Sequence, residues 1–160
     1  VQERCATRYA FSNGIRAQQI ADAIEDPEIR IDALNGVAKN LAARRKLAEL
    51  EQIVSTVERT PDPTLRLWGL TLVASSLFDS GETVRARELF SHVLSMLPDL
   101  GRDGRAKYVP GLLALHMAPF DYDTSRDLIK SFLSAVPKDR EHSRFFGNIA
   151  QRIAGSEPKE

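Results

Sequence analysis

Residues 77–98 read LFDSGETVRARELFSHVLSMLP. Ala86, Leu89, Phe90, Val93, Leu94 and Leu97 stand at i, i+3, i+4, i+7, i+8 and i+11, which is one face of a helix of period 3.6. Ser80-Gly81 breaks the chain ahead of this stripe, and Pro98 ends it, with Asp99 and Gly101 beyond. Before the break, Leu67, Leu70, Val73, Ala74 and Leu77 form a second stripe. Residues 64–97 therefore read as two helices joined by a tight turn. Each is apolar on one side only, so each needs a neighbour to cover that side.

The same pattern returns elsewhere in the chain. Asp26-Pro27 recurs as Asp62-Pro63, a step of 36. Each pair suits a helix start, since Asp accepts from the orphan N–H groups and Pro fits the first turn. Arg30, Leu34, Val37, Ala38 and Leu41 match Arg66, Leu70, Val73, Ala74 and Leu77 at that step. A step of 39 carries Leu70, Val73 and Pro98 onto Val109, Leu112 and Pro137. A step of 37 carries Val109 and Leu112 onto Phe146 and Ile149, with Ala150 and Ile153 following.

These matches predict an all-α chain. A helix end over 1–12 (VQERCATRYAFS) turns at Asn13-Gly14 into a helix at about 15–25. Helices follow at about 28–43, 46–59, 64–79, 83–97, 104–118, 123–135 and 139–154, and residues 155–160 are a polar tail. Residues 1–154 are expected to form one helical-repeat domain, with units over about 15–43, 30–62, 66–98 and 106–137. The start at Val1 within a helical pattern suggests a piece of a longer protein. One stretch departs from regularity: LGRDGRAKYVPG, residues 100–111, carries three extra residues and Pro110-Gly111 inside the expected helix. Either the helix starts near Pro110 or it is kinked there.

The bulk numbers narrow the function classes. The chain has 160 residues, 42% hydrophobic and 28% charged, with Lys plus Arg at 22 and Asp plus Glu at 22. Balanced charge argues against a duplex or membrane-surface binder. Cys5 is the sole cysteine, so no internal disulfide or cysteine zinc site supports the fold. No apolar run reaches the roughly 18–20 residues that span a bilayer.

The repeat resembles the tetratricopeptide family, most closely over residues 67–98. Leu70, Val73, Ala74 and Leu77 take the first-helix slots, Gly81 the turn glycine, Ala86 the small crossing residue, Phe90 the aromatic, Val93 the second small slot and Pro98 the closing proline. Residues 30–62 carry Arg45 at the turn and Leu50 at the crossing slot. Residues 106–137 carry Ser125 at the crossing slot, while His116 and Phe120 stand where a larger apolar residue and the turn glycine are expected. The resemblance implies an α-α superhelix of stacked antiparallel helix pairs whose first helices line a concave groove. Groove residues by this register are Asp32, Asn35 and Lys39; Trp68, Thr71, Ser75 and Phe78; Lys107 and Met117; and Arg144 and Gln151. Trp68 and Phe78 could anchor a peptide there. The plainer reading packs Trp68 against the neighbouring unit with Leu65 and Leu72.

Residues that could carry chemistry are few. His92, His116 and His142 show no metal-site spacing, and Cys5 has no assignable base. No phosphate-loop, dinucleotide or nucleophile-elbow motif occurs. Asp121 and Asp123 flank Tyr122 just before a helix, where Asp is ordinarily a cap. Arg44-Arg45-Lys46, Arg102/Arg105/Lys107 and Lys138/Arg140/Arg144 fall at turns or helix starts, without the interleaved aromatics of a base-stacking surface. The sequence thus predicts a noncatalytic scaffold with no cofactor or metal, binding a protein or peptide partner in its groove. A structural or self-associating module is the alternative, an exposed terminal helix offering a homodimer surface. An RNA-binding helical-hairpin array is the second alternative.

Overall fold

The computed structural model describes residues 14–101 and 104–135. Among the described residues the regular structure is helical, without strands. In chain order the helices are α1 (Gly14–Asp22), α2 (Pro27–Ala43), α3 (Leu47–Glu58), α4 (Pro63–Asp79), α5 (Thr83–Met96), α6 (Val109–Met117) and α7 (Tyr122–Ala135). Short 3-10 turns occupy Leu97–Asp99 and Ala106–Tyr108. The expected helices at 1–12 and 139–154 and the tail at 155–160 lie outside the described residues. Two compact units meet in sequence between Met96 and Leu97, a boundary that the expected 1–154 domain spans.

The first unit is built on two helix pairs with the same local grammar. The Asp26 carboxylate accepts from the N–H groups of Glu28 (2.9 Å) and Ile29 (3.1 Å), and the Asp62 carboxylate from those of Thr64 (2.7 Å) and Leu65 (3.1 Å). Each cap is followed by a proline in the first turn, where no N–H is needed. Both helices so started, α2 and α4, run for 17 residues. Both end in the same turn. The Arg45 N–H donates to Ala42 O and the Lys46 N–H to Leu41 O. The Gly81 N–H donates to Phe78 O and the Glu82 N–H to Leu77 O. That crossed pair of bonds is the Schellman closure, which demands a left-handed residue. Gly81 adopts it at φ 90° and Arg45 at φ 55°. α3 then begins at Leu47 and α5 at Thr83, again a step of 36.

Burial follows the same step. Ile31, Ala33, Leu34, Val37, Ala38 and Leu41 are buried on α2, and Leu67, Gly69, Leu70, Val73, Ala74 and Leu77 on α4. Leu50, Ile53, Val54 and Val57 are buried on α3, and Ala86, Leu89, Phe90 and Val93 on α5. Each large aliphatic group so enclosed stabilises the unit by about 1.5–3 kcal/mol. α2 packs on α1, α3 and α4, while α4 packs on α3 and α5 as well. The α4 backbone lies tight against the Val57 side chain at Gly69, where an added Cβ would stand 2.7 Å from Val57 Cγ1.

Polar bonds tie the surface of this unit. α1 ends at Asp22 rather than near residue 25. The Arg30 guanidinium holds the Ile24 and Glu25 carbonyls at 2.8 and 3.1 Å, so the chain leaves the helix early. Gln18 Nε2 donates to Thr56 Oγ1 at 3.0 Å, joining α1 to α3. Burial pushes the Asp22 carboxyl above its usual range, against the opposing pull of Arg30 and Arg59.

In the second unit α6 packs on α7, and the Ala106–Tyr108 turn packs on both. The helix begins at Val109 instead of 104, which puts Pro110 in the first turn, where its missing N–H is harmless. Ser125 is fully buried and donates its hydroxyl to Ala114 O at 2.7 Å. A small side chain at that position lets α7 lie close to α6 and also satisfies a helix carbonyl. Phe132 is buried and meets Tyr108 edge-on, ring centroids 6.3 Å apart.

Candidate functional site

The α4 helix carries the residues of most interest. Trp68 is half-buried, and so are Leu65 and Leu72, which stand three residues before it and four after it on one side of the helix. Phe78 is half-buried too, roughly 80° further round at about 100° per residue. A partly exposed apolar stripe thus runs along α4. On α2, Asp32 and Lys39 are exposed, and Ile29, whose place corresponds to Leu65, is 45% exposed.

Thr71 and Ser75 differ from expectation. Thr71 is 0% exposed and Ser75 7%, so neither offers a surface to a partner. Thr71 turns its hydroxyl back onto Leu67 O at 2.8 Å, which lets a polar side chain be enclosed without losing a bond. Met117 is likewise buried. Asn35, the α2 counterpart of Thr71, is half-buried, and both polar atoms of its amide are enclosed without a hydrogen-bond partner among the described residues. Leaving such a group unsatisfied costs about 1–3 kcal/mol. Lys107 belongs to the second unit, half-buried with Nζ 5.0 Å above the Tyr108 ring. Arg144 and Gln151 lie outside the described residues.

The other residues with chemical potential have structural settings. Asp121 caps α7, accepting from the Thr124 N–H at 3.1 Å, and Asp123 pairs with Arg126 at 3.1 Å. The exposed His92 side chain has Nε2 4.0 Å from Glu58. Lys46 pairs with Glu49 at 2.8 Å. Among the described residues no cluster of three or more His, Cys, Asp or Glu side chains could hold a metal ion. No described helix is long and apolar enough to cross a membrane. Cys5, His142, Arg102 and the Lys138/Arg140/Arg144 run lie outside the described residues.

Two features were not read from the sequence. One is a charge clamp between α3 and α5. Arg85 Nε and Nη2 each stand 2.7 Å from the two Glu51 oxygens, and Nη1 reaches Glu88 at 2.9 Å. The Glu51 hydrogen bonds, more than the other influences, hold the Arg85 proton tighter than usual. Its signal was present as Glu51 and Glu58 followed 34 residues later by Arg85 and His92. The other is a cavity of about 250 Å³ in the second unit, lined by Leu97, Pro98, Leu100 and Gly101, by Ala106, Lys107 and Pro110, and by Leu128, Ser131 and Phe132. Its signal was the irregular stretch 100–111. No protein-family model matches the chain, no curated protein matches it, and no solved structure matches it.

Proposed function

We propose that the chain is a noncatalytic interaction module, a tetratricopeptide-like superhelix that binds an extended segment of a protein partner along its first helices. The observation that carries the reading is the partly exposed stripe Leu65, Trp68 and Leu72 on α4, a helix that buries Leu67, Leu70, Val73, Ala74 and Leu77. In a stack with a step of 36, Ile29 and Asp32 of α2 stand level with Leu65 and Trp68. That gives a strip of apolar anchors edged by charge. Large aromatic anchors flanked by polar residues are the usual composition of an interface centre.

Peptides selected by display against the protein test this reading, with affinity followed through the fluorescence of Trp68, the sole tryptophan. Trp68→Ala, read by a label on the peptide, should weaken the selected peptides by at least ~10-fold, given the 2 kcal/mol or more typical of interface anchors. Helicity by circular dichroism should stay unchanged. Equal affinity for wild type and Trp68→Ala would move the binding surface elsewhere.

A further inference from the structure

We propose that the cavity of the second unit is a binding site for a small amphipathic carboxylate, a saturated hydrocarbon chain ending in one carboxylate, with Lys107 as its ionic partner. The lining supplies the apolar part through Leu97, Leu100, Leu128 and Phe132. The Phe132 ring is held in place, since it is 2% exposed and Tyr108 lies against it edge-on. Pro98 and Pro110 stiffen two of the lining segments. A site held open in this way spends little ordering on ligand entry.

The polar groups choose the ligand. Lys107 is the one charged side chain among the lining residues, and no lining residue carries a negative charge. Its ammonium sits over the Tyr108 ring and makes no carboxylate pair among the described residues. An ammonium beside apolar walls attracts an anion more strongly than one in open water. Ser131 adds a hydroxyl at the same cavity. At about 250 Å³ the cavity lies below the ~300–1,000 Å³ of drug-sized sites, a volume that one short chain fills. The site lies in the second unit and is independent of the α4 stripe.

Decanoate and decanol, equal in chain and different in charge, give the test on the full 160-residue chain. Methyl NMR should show saturable decanoate shifts at Leu97, Leu100 and Leu128. Lys107→Met should weaken decanoate by ~10-fold, the scale of a charge-assisted hydrogen bond, and leave decanol unchanged. Ser131→Trp, at an exposed rim position, should block both ligands while the helical dichroism is retained. Equal wild-type affinity for decanoate and decanol, shifts confined to other methyls, or no saturable binding would overturn the proposal. So would a leucine-ended peptide that saturates these methyls where decanoate does not, because the cavity would then belong to a protein C-terminus.

Discussion

The helix pairs α2–α3 and α4–α5 share caps, turn bonds and buried positions at a step of 36, yet differ wherever those positions tolerate choice. The turn is Arg45 in one and Gly81 in the other. The close-packed position is Ala33 in one and Gly69 in the other. Asp32 on α2 becomes Trp68 on α4, and Asn35, with its unpaired amide, becomes Thr71, bonded to its own helix. The difference teaches which requirements belong to the backbone and which to the surroundings. Capping recurs with the same Asp-Pro pair, and left-handed closure recurs with either Arg or Gly. The outward-facing side chains diverge, and there α4 has become the more apolar helix.

The largest effects should come from the shared core. Leu34→Ala and Leu70→Ala should each destabilise by about 2–5 kcal/mol in urea unfolding. A gap between them wider than the spread of such truncations would break the equivalence of the two pairs. Next is Gly69→Val, which forces a branched side chain against Val57 and should cost about 1–3 kcal/mol in the same assay.

The turns should respond with opposite signs. Arg45→Gly relieves a left-handed residue and should raise stability by up to about 1 kcal/mol, the ~1–2 kcal/mol strain less the flexibility of glycine. Gly81→Arg should lower it by about 1 kcal/mol, through backbone strain alone, since open space surrounds that position. Equal signs would mean that the two turns are not alike. The smallest effect belongs to the α3–α5 clamp. A double-mutant cycle on Glu51 and Arg85 should give a coupling under about 1 kcal/mol that shrinks with salt, because both side chains are well exposed.

The starts of α2 and α4 were legible because Asp-Pro states its own capping chemistry, and the turns because a break between two periodic stripes has few solutions. The ends were less so. α1 stops early where Arg30, on the next helix, takes the Ile24 and Glu25 carbonyls just past its end, a contact that periodicity cannot see. Pro110 was recognised as a boundary or a kink, and its place in the first turn follows from the 3-10 turn ahead of it. Among the candidate site residues, Trp68 and Phe78 keep partly exposed surface, whereas Thr71 and Ser75 were misread as surface because they are polar. A hydroxyl can satisfy itself on the preceding turn and then be buried like an apolar group. The cavity escaped the sequence reading because its walls come from three separated segments whose approach no spacing rule encodes.

A crystal structure of the chain, with residues 27–58 superposed on residues 63–94, tests the shared step most directly. The account predicts that the backbones overlay with Leu34 on Leu70, Arg45 on Gly81 and Val57 on Val93. An overlay that requires a shift of even one residue, or pairs that do not overlay at all, would contradict it.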